Sequence, residues 1–148
     1  MKKNKAKAHV KKGFPGWVWG IISAVIVIIA GFVVYQSIQS AKISLPAEIS
    51  VVQAAEKRDQ GAFILDVRQP EEWQQFHIPG ATLIPLGELP NRLNEVPKDK
   101  QIVVVCRTGH RSAQGRDILL NAGFPMVTSM AGGVTQWQSQ GLAIATGQ

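Results

Sequence analysis

One cysteine, Cys106, directly follows residues 102–105, four consecutive residues that are all apolar and β-branched. The loop after it contains a glycine and leads into a helical stretch, whose start should present unpaired N–H groups and the positive end of its dipole. Glycine lets such a loop fold those N–H groups inward as an anion-binding nest. Together with two nearby arginines, this arrangement favours thiolate over thiol. We therefore predict a nucleophilic cysteine in place of an inert buried one, with a substrate-binding loop formed by Arg107, Thr108, Gly109, His110 and Arg111.

The elements that must position this loop alternate between strands and helices. Short apolar and β-branched runs predict strands at 63–65, 82–84, 102–105 and 126–128. Helices are predicted at 51–60, 88–95, 112–122 and 134–140, and a further short helix that carries Trp73 is predicted to start at Pro70. Such alternation predicts an α/β fold, a parallel sheet with helices on both faces. Ligands of open α/β sheets bind at the carboxyl ends of strands. Asp66 and Arg68, which follow one strand, are thus expected near the Cys106 loop.

Several motifs occur in a specific order: ILDVR at 64–68, PEEW at 70–73, HIPGA at 77–81, IP at 84–85, VVVCRTGHRS at 103–112, and Gly132, Gly133 and Trp137. In this order they resemble a single-domain rhodanese over residues 48–144. One departure is Phe76, where that family often has glycine. The resemblance implies a rhodanese-like fold with about five parallel strands. It also implies a sulfurtransferase in which Cys106 takes a sulfane sulfur from thiosulfate or a persulfide and passes it to a thiol or cyanide, without a cofactor or metal.

Residues around the loop are assigned supporting roles. We expect Asp66 and Arg68 to organise loop backbone, and His77 to be a scaffold residue bonded to Asp66 in preference to a general base, because an electropositive nest ionises a thiol without one. Of the two arginines, we expect Arg111 to contribute more than Arg107 to binding an anionic donor. Trp73 and Trp137 are predicted core aromatics.

Two other functions are alternatives to sulfur transfer. Cysteine-dependent phosphatases and arsenate reductases use Cys-x5-Arg, whereas this loop reads Cys-x4-Arg and suits a single sulfur atom better than a phosphate. A rhodanese-like binding or sulfur-carrier module with little turnover, serving an unidentified protein partner, stays an alternative. No nucleotide-binding or zinc-hydrolase motif occurs in the sequence.

The amino-acid composition excludes several further classes of protein. A single cysteine excludes an intrachain disulfide and a four-cysteine metal site. Six lysines within residues 1–16 account for the whole net charge of +6, so the rest of the chain is formally neutral. This distribution argues against a nucleic-acid-binding domain, whose basic residues would be spread over the folded surface.

An uncharged apolar run spans residues 17–35 and has the length of a transmembrane helix. A signal peptide and a buried core helix fit less well, because the first is usually shorter and the second needs a larger protein around it. We expect a basic cytoplasmic tail (1–16), a helix in the lipid bilayer (17–35), a tether (36–47) and the rhodanese-like domain (48–148). By the positive-inside rule, this domain lies on the extracytoplasmic side of the cytoplasmic membrane.

Overall fold

The computed structural model describes residues 16–39 and 45–147. Contacts divide the chain into two compact units, Met1–Lys42 and Ile43–Gln148. The first unit contains helix α1, Gly16–Gln39. Within the described ranges, no helix combines the length and apolar character needed to cross a membrane, so the predicted transmembrane helix at 17–35 is not confirmed. Apart from Gly16, the predicted basic tail lies outside the described residues, as do residues 40–44 of the predicted tether.

The second unit alternates strands and helices along the chain. Its strands are β1 (Glu48–Ile49), β2 (Phe63–Asp66), β3 (Thr82–Leu83), β4 (Ile102–Val105) and β5 (Val127–Met130). Its helices are α2 (Val51–Asp59), α3 (Pro70–Gln75), α4 (His110–Asn121) and α5 (Gly133–Ser139). The predicted alternation is confirmed.

The five strands form one parallel sheet in the order β1-β5-β4-β2-β3. Strand β4 is central and all four of its residues are buried. Val104 lies in a core cluster with Leu119 of α4, whereas Val103 lies in a second cluster with Trp137 of α5. Apolar residues on both sides of β4 therefore pack against helices on both faces of the sheet, as predicted.

Local chemistry explains where several elements begin. Ser50 caps α2 through a reciprocal capping box with Gln53, as its spacing predicts. Pro70 occupies the first turn of α3, where its missing N–H costs nothing.

Several elements differ from the sequence prediction, and three of the differences have a clear reason or consequence. The helix expected at 88–95 is a pair of 3-10 turns, Leu89–Asn91 and Leu93–Glu95, because Pro90 cannot donate a backbone hydrogen bond. Helix α4 begins at His110, two residues earlier than expected, so His110 and Arg111 lie in its first turn. Strand β1 was not predicted, since its two residues are too few to show a period.

Candidate functional site

Cys106 lies at the carboxyl end of the central strand, where β4 leads into the loop before α4. It is 1% exposed and continues the face of Ile102 and Val104. Its Sγ accepts a hydrogen bond from the N–H of Gly109 at 3.1 Å and lies 3.7 Å from the hydroxyl of Ser112. That hydroxyl donates to the carbonyl of Gly109 at 2.7 Å. The sulfur is thus held inside the turn of the loop.

The loop also presents backbone N–H groups without internal acceptors. Gly109 adopts φ +106°, a left-handed conformation that turns the chain into α4 and that other residues rarely adopt. Among the hydrogen bonds of the described residues, the N–H groups of Thr108, His110 and Arg111 have no acceptor. Unpaired N–H groups at a helix start form a binding site for an anion. One donor of the loop, the N–H of Gly109, contacts Sγ, whereas an anion-binding nest formed by the unpaired N–H groups stays a prediction.

Helix α5 fixes the other side of the loop. The N–H of Val134 donates to the carbonyl of Cys106 at 2.8 Å, and that of Thr135 donates to the carbonyl of Arg107 at 3.2 Å. Gly133 lies so close that a Cβ there would overlap the backbone of Cys106 and Arg107. The sequence motif contains this glycine, but nothing in its spacing assigns it to the cysteine loop.

Arg111 forms a bidentate ion pair with Glu72 of α3. Its charge is therefore not directed at the cysteine alone. Both nitrogen–oxygen distances are 2.7 Å. The hydrogen bond from Arg111 holds the pKa of Glu72 at about 2, below its ordinary 4.5, and Glu72 in turn raises the pKa of Arg111. Sequence analysis missed Glu72, which lies 39 residues from its partner.

Asp66 and Arg68 form a buried ion pair beneath this region. The guanidinium of Arg68 contacts the carboxylate of Asp66 at 2.7 Å, and both side chains are at most 2% exposed. Arg68 also donates to the backbone carbonyls of Glu72 and Phe76, at 3.3 and 2.8 Å. The pair therefore ties α3 to the end of β2 and indirectly positions Glu72.

Comparison with known proteins decides the family. The profile of the rhodanese-like domain matches residues 50–140, more than half of the chain. The chain belongs to the rhodanese-like domain family.

Relatives and solved structures agree with this assignment. The chain is 36% identical over 85 residues to a sulfurtransferase of Allochromatium vinosum, covering 57% of this chain and 79% of that protein. It is 34% identical over 87 residues to the thiosulfate sulfurtransferase GlpE of Pseudomonas syringae, covering 59% and 82% of the two chains. A crystal structure of a rhodanese-related protein from Thermoplasma volcanium superposes with a TM-score of 0.63 at 27% identity, covering 68% of this chain and 98% of that one.

For two aromatic residues of this rhodanese-like domain, the contacts or the burial differ from the sequence prediction. His77 is buried, but its Nδ1 pairs with the carbonyl of Trp73 at 3.1 Å, so the predicted bond to Asp66 is wrong. Asp66 uses its carboxylate for Arg68, and His77 instead stacks on Trp73 with ring centroids 3.7 Å apart. Trp73 is consequently a half-buried partner of His77 and not a core residue, whereas Trp137 is fully buried as predicted.

Beside the loop, the rhodanese-like domain has an open cavity of about 210 Å³. Arg107 lines it, together with Glu72 and Thr135. Thr108 and His110 are exposed, and His110 contacts only Gln114 among the side chains described, at 3.3 Å. In the described part of the chain, no cluster of three or more histidine, cysteine or acidic residues is suited to hold a metal ion.

Proposed function

We propose that this rhodanese-like protein is a sulfurtransferase that carries a sulfane sulfur as a persulfide on Cys106. The observation that supports this most directly is the position of Sγ inside a turn in which the N–H of Gly109 donates to Sγ and the N–H groups of Thr108, His110 and Arg111 have no acceptor. A persulfide ends in an anionic sulfur, and donors aimed at that atom stabilise it more than they stabilise a neutral thiol. The names of the two sulfurtransferase relatives support the same reaction class.

The reaction has two steps that need no external oxidant or reductant. The thiolate of Cys106 attacks the outer sulfur of thiosulfate, a new bond forms to Sγ, and sulfite leaves with the electrons of the broken S–S bond. A thiolate or cyanide then attacks the transferred sulfur, and the electron pair returns to Sγ. We assign Cys106 as the catalytic residue, and the N–H groups of the loop 107–111 as the donors that hold the transferred sulfur.

The charges around the site support an anionic donor. Asp66 is paired with Arg68, and Glu72 with Arg111, so the nearby carboxylates are compensated. Arg107 is exposed and has no ion-pair partner among the residues described. An anion approaching the loop therefore meets a net positive surface.

Steady-state kinetics test this function. With thiosulfate and cyanide varied together, a covalent intermediate predicts parallel double-reciprocal lines and no activity in Cys106→Ser. Thiocyanate formation by the serine variant at the wild-type rate would exclude a role for Cys106.

We further propose that residues 17–35 anchor the protein in the cytoplasmic membrane and place the domain on the extracytoplasmic side. Two observations support this: the charge-free apolar sequence, and the exposure of Ile26, Val27 and Ile28 on α1, at 60%, 70% and 70%. Exposed apolar surface of this extent favours burial in lipid or against a partner. The six lysines at 1–16 favour a cytoplasmic tail.

A further inference from the structure

We propose that residues 142–147, which we call the strap, position helix α3 so that Glu72 holds the charge of Arg111 in place beside the cysteine loop. The strap thereby sets the rate at which Cys106 is loaded with sulfur. This inference rests on the proposed function and adds a positioning segment to it. The strap follows α5 in the chain and is described as far as Gly147.

Helix α3 depends on contacts from outside itself. It has only six residues, and none of them is buried. Isolated helices shorter than about 12–15 residues are marginal in water, so a helix of this length is held by tertiary contacts. Because α3 has no buried apolar face, hydrogen bonds to the carbonyls of its last turn are well placed to fix its position.

Three carbonyls of α3 accept hydrogen bonds from groups outside the helix. Two of the donors are the guanidinium of Arg68 and the ring of His77. The third donor belongs to the strap, because the N–H of Gly147 donates to the carbonyl of Gln74 at 3.0 Å. The strap therefore binds the carboxyl end of α3 directly.

The strap also pairs with the chain that follows α3. His77 and Ala145 form an antiparallel bridge, in which each N–H donates to the carbonyl of the other residue at 2.8 Å. Near its start, the strap is bound to α5, since the indole N–H of Trp137 donates to the carbonyl of Ala143 at 2.9 Å. Trp137 is fully buried, so this attachment lies on the core of the domain. The strap thus connects α5 with α3.

Both of these helices contact the region of the cysteine. Helix α5 binds the carbonyl of Cys106 through the N–H of Val134, and α3 binds Arg111 through Glu72. The hydrogen bond to Glu72 is the largest cause of the raised pKa of Arg111, and the charge of Cys106 adds to it. The guanidinium therefore acts electrostatically on the cysteine. A strap that holds α3 relative to α5 fixes where this charge lies.

Ala145→Pro tests the strap, because proline lacks the N–H that donates to the carbonyl of His77. Persulfide loading from thiosulfate is followed by stopped flow on the full-length protein in detergent. We expect loading at least roughly 3-fold slower than in wild type, within the roughly 100-fold that a misplacement of about 1 Å can cost. Hydrogen exchange should become faster at the backbone N–H groups of α3.

Thr146→Pro is the matched control. It introduces the same residue one position further on, where the N–H has no acceptor among the hydrogen bonds of the described residues. Both the loading rate and the exchange in α3 should stay at their wild-type values. Gly147→Ala is a milder second variant, since Gly147 has φ +83° and nothing lies within 4 Å of a Cβ built there. Alanine strains this donor without a clash, so loading should slow by less than in Ala145→Pro.

A double-mutant cycle with Glu72→Gln separates positioning from a general loss of stability. If the strap acts through Glu72, the chain that carries Ala145→Pro and Glu72→Gln should load about as slowly as the slower single variant. All rates are compared at a temperature at which circular dichroism shows each variant to be folded.

Two kinds of result are distinguishable. Slowing equal to the product of the two single effects, equal slowing by Thr146→Pro, or loading of Ala145→Pro at or above the wild-type rate would overturn the role of the strap and leave sulfur transfer intact. If wild type forms no persulfide at all, the proposed function is overturned, and this inference with it.

Discussion

At the scale of single residues, the surroundings of Sγ determine how well an anionic sulfur is held. Gly109 contributes a backbone N–H at 3.1 Å, and Ser112 contributes a hydroxyl at 3.7 Å. In the resting structure that hydroxyl donates to the carbonyl of Gly109. Because a hydroxyl rotates freely, it can turn towards Sγ once the sulfur becomes an acceptor.

Ser112→Ala tests this role. Loss of one neutral hydrogen bond is worth about 0.5–1.5 kcal/mol, so we expect persulfide formation from thiosulfate to slow by roughly 2- to 12-fold. Gly109 keeps a second donor to its carbonyl, the N–H of Ala113 at 3.2 Å, so the loop should stay folded. Stopped-flow loading rates measure the effect, and thermal unfolding serves as the control. An unchanged loading rate would show that backbone N–H groups suffice.

The expected ranking of the two arginines stays a prediction, to which the structure adds an ion pair. Arg111 was expected to be the more important cation, but it lies in the first turn of α4 and is bound by Glu72. A cation near a helix start opposes the dipole, and the carboxylate compensates it. The cysteine and its loop could be identified from local spacing, whereas a contact spanning 39 residues has no local signature.

At the scale of elements, the first turn of α5 fixes the cysteine loop. Gly133→Ala would place a Cβ against the backbone of Arg107 and force loop and helix apart. We expect a loss of stability well above the roughly 1–2 kcal/mol of left-handed strain alone, with persulfide loading reduced by at least about 10-fold. Urea unfolding and loading assays on the same samples provide the measurement.

Gly123→Ala is the matched control for that variant. Gly123 also has positive φ, +83°, but nothing lies within 4 Å of a Cβ built there. The Gly123→Ala variant should therefore be destabilised only by the left-handed strain, and its persulfide loading should match that of wild type. Equal losses of stability and loading in the two variants would contradict the role assigned to the α5 contact.

The ion pair between α3 and α4 predicts a dependence of stability on pH. The folded pKa of Glu72 is about 2, below its ordinary 4.5, so the pair stabilises the fold above pH 4.5 and loses this contribution as the pH falls towards 2. Allowing for solvent screening, the contribution is on the order of 1–2 kcal/mol. The Glu72→Gln variant should be less stable than wild type by this amount at pH 7. Near pH 2, the stability of the variant should approach that of wild type. A difference independent of pH in urea unfolding would contradict the assignment.

Periodicity and capping residues predicted most elements but not how they contact one another. Residues 102–105 indicate a central strand because all four are apolar and β-branched, and Ser50 with Gln53 marks the start of α2. The bond from His77 to the Trp73 carbonyl and the approach of Gly133 to Arg107 depend on how α3 and α5 pack. Such packing distances are not encoded in any single segment.

At the scale of the whole molecule, the distribution of lysines predicts the orientation of the proposed membrane anchor. Because Cys106 is buried, an exposed reporter is better suited to the test. Gln140 is exposed on the domain, and Gln140→Cys in a Cys106→Ser chain should react with a membrane-impermeant maleimide in intact cells or spheroplasts.

The matched reporter is Asn4→Cys in the same background, placed in the lysine-rich segment. It should react only after lysis without reductant. Protection of Gln140→Cys together with labelling of Asn4→Cys would reverse the topology. Labelling of neither before lysis would place both segments in the cytoplasm.

The central claim is that Cys106 carries the transferred sulfur, and intact-mass spectrometry of the full-length protein tests it most directly. After incubation with thiosulfate and removal of excess donor, wild type should gain the mass of one sulfur atom. Peptide mapping should place it on Cys106, and a thiol reductant should remove it. Cys106→Ser should gain nothing. An unmodified wild-type mass with thiosulfate and with a persulfide donor, in protein shown to be folded, would contradict the account.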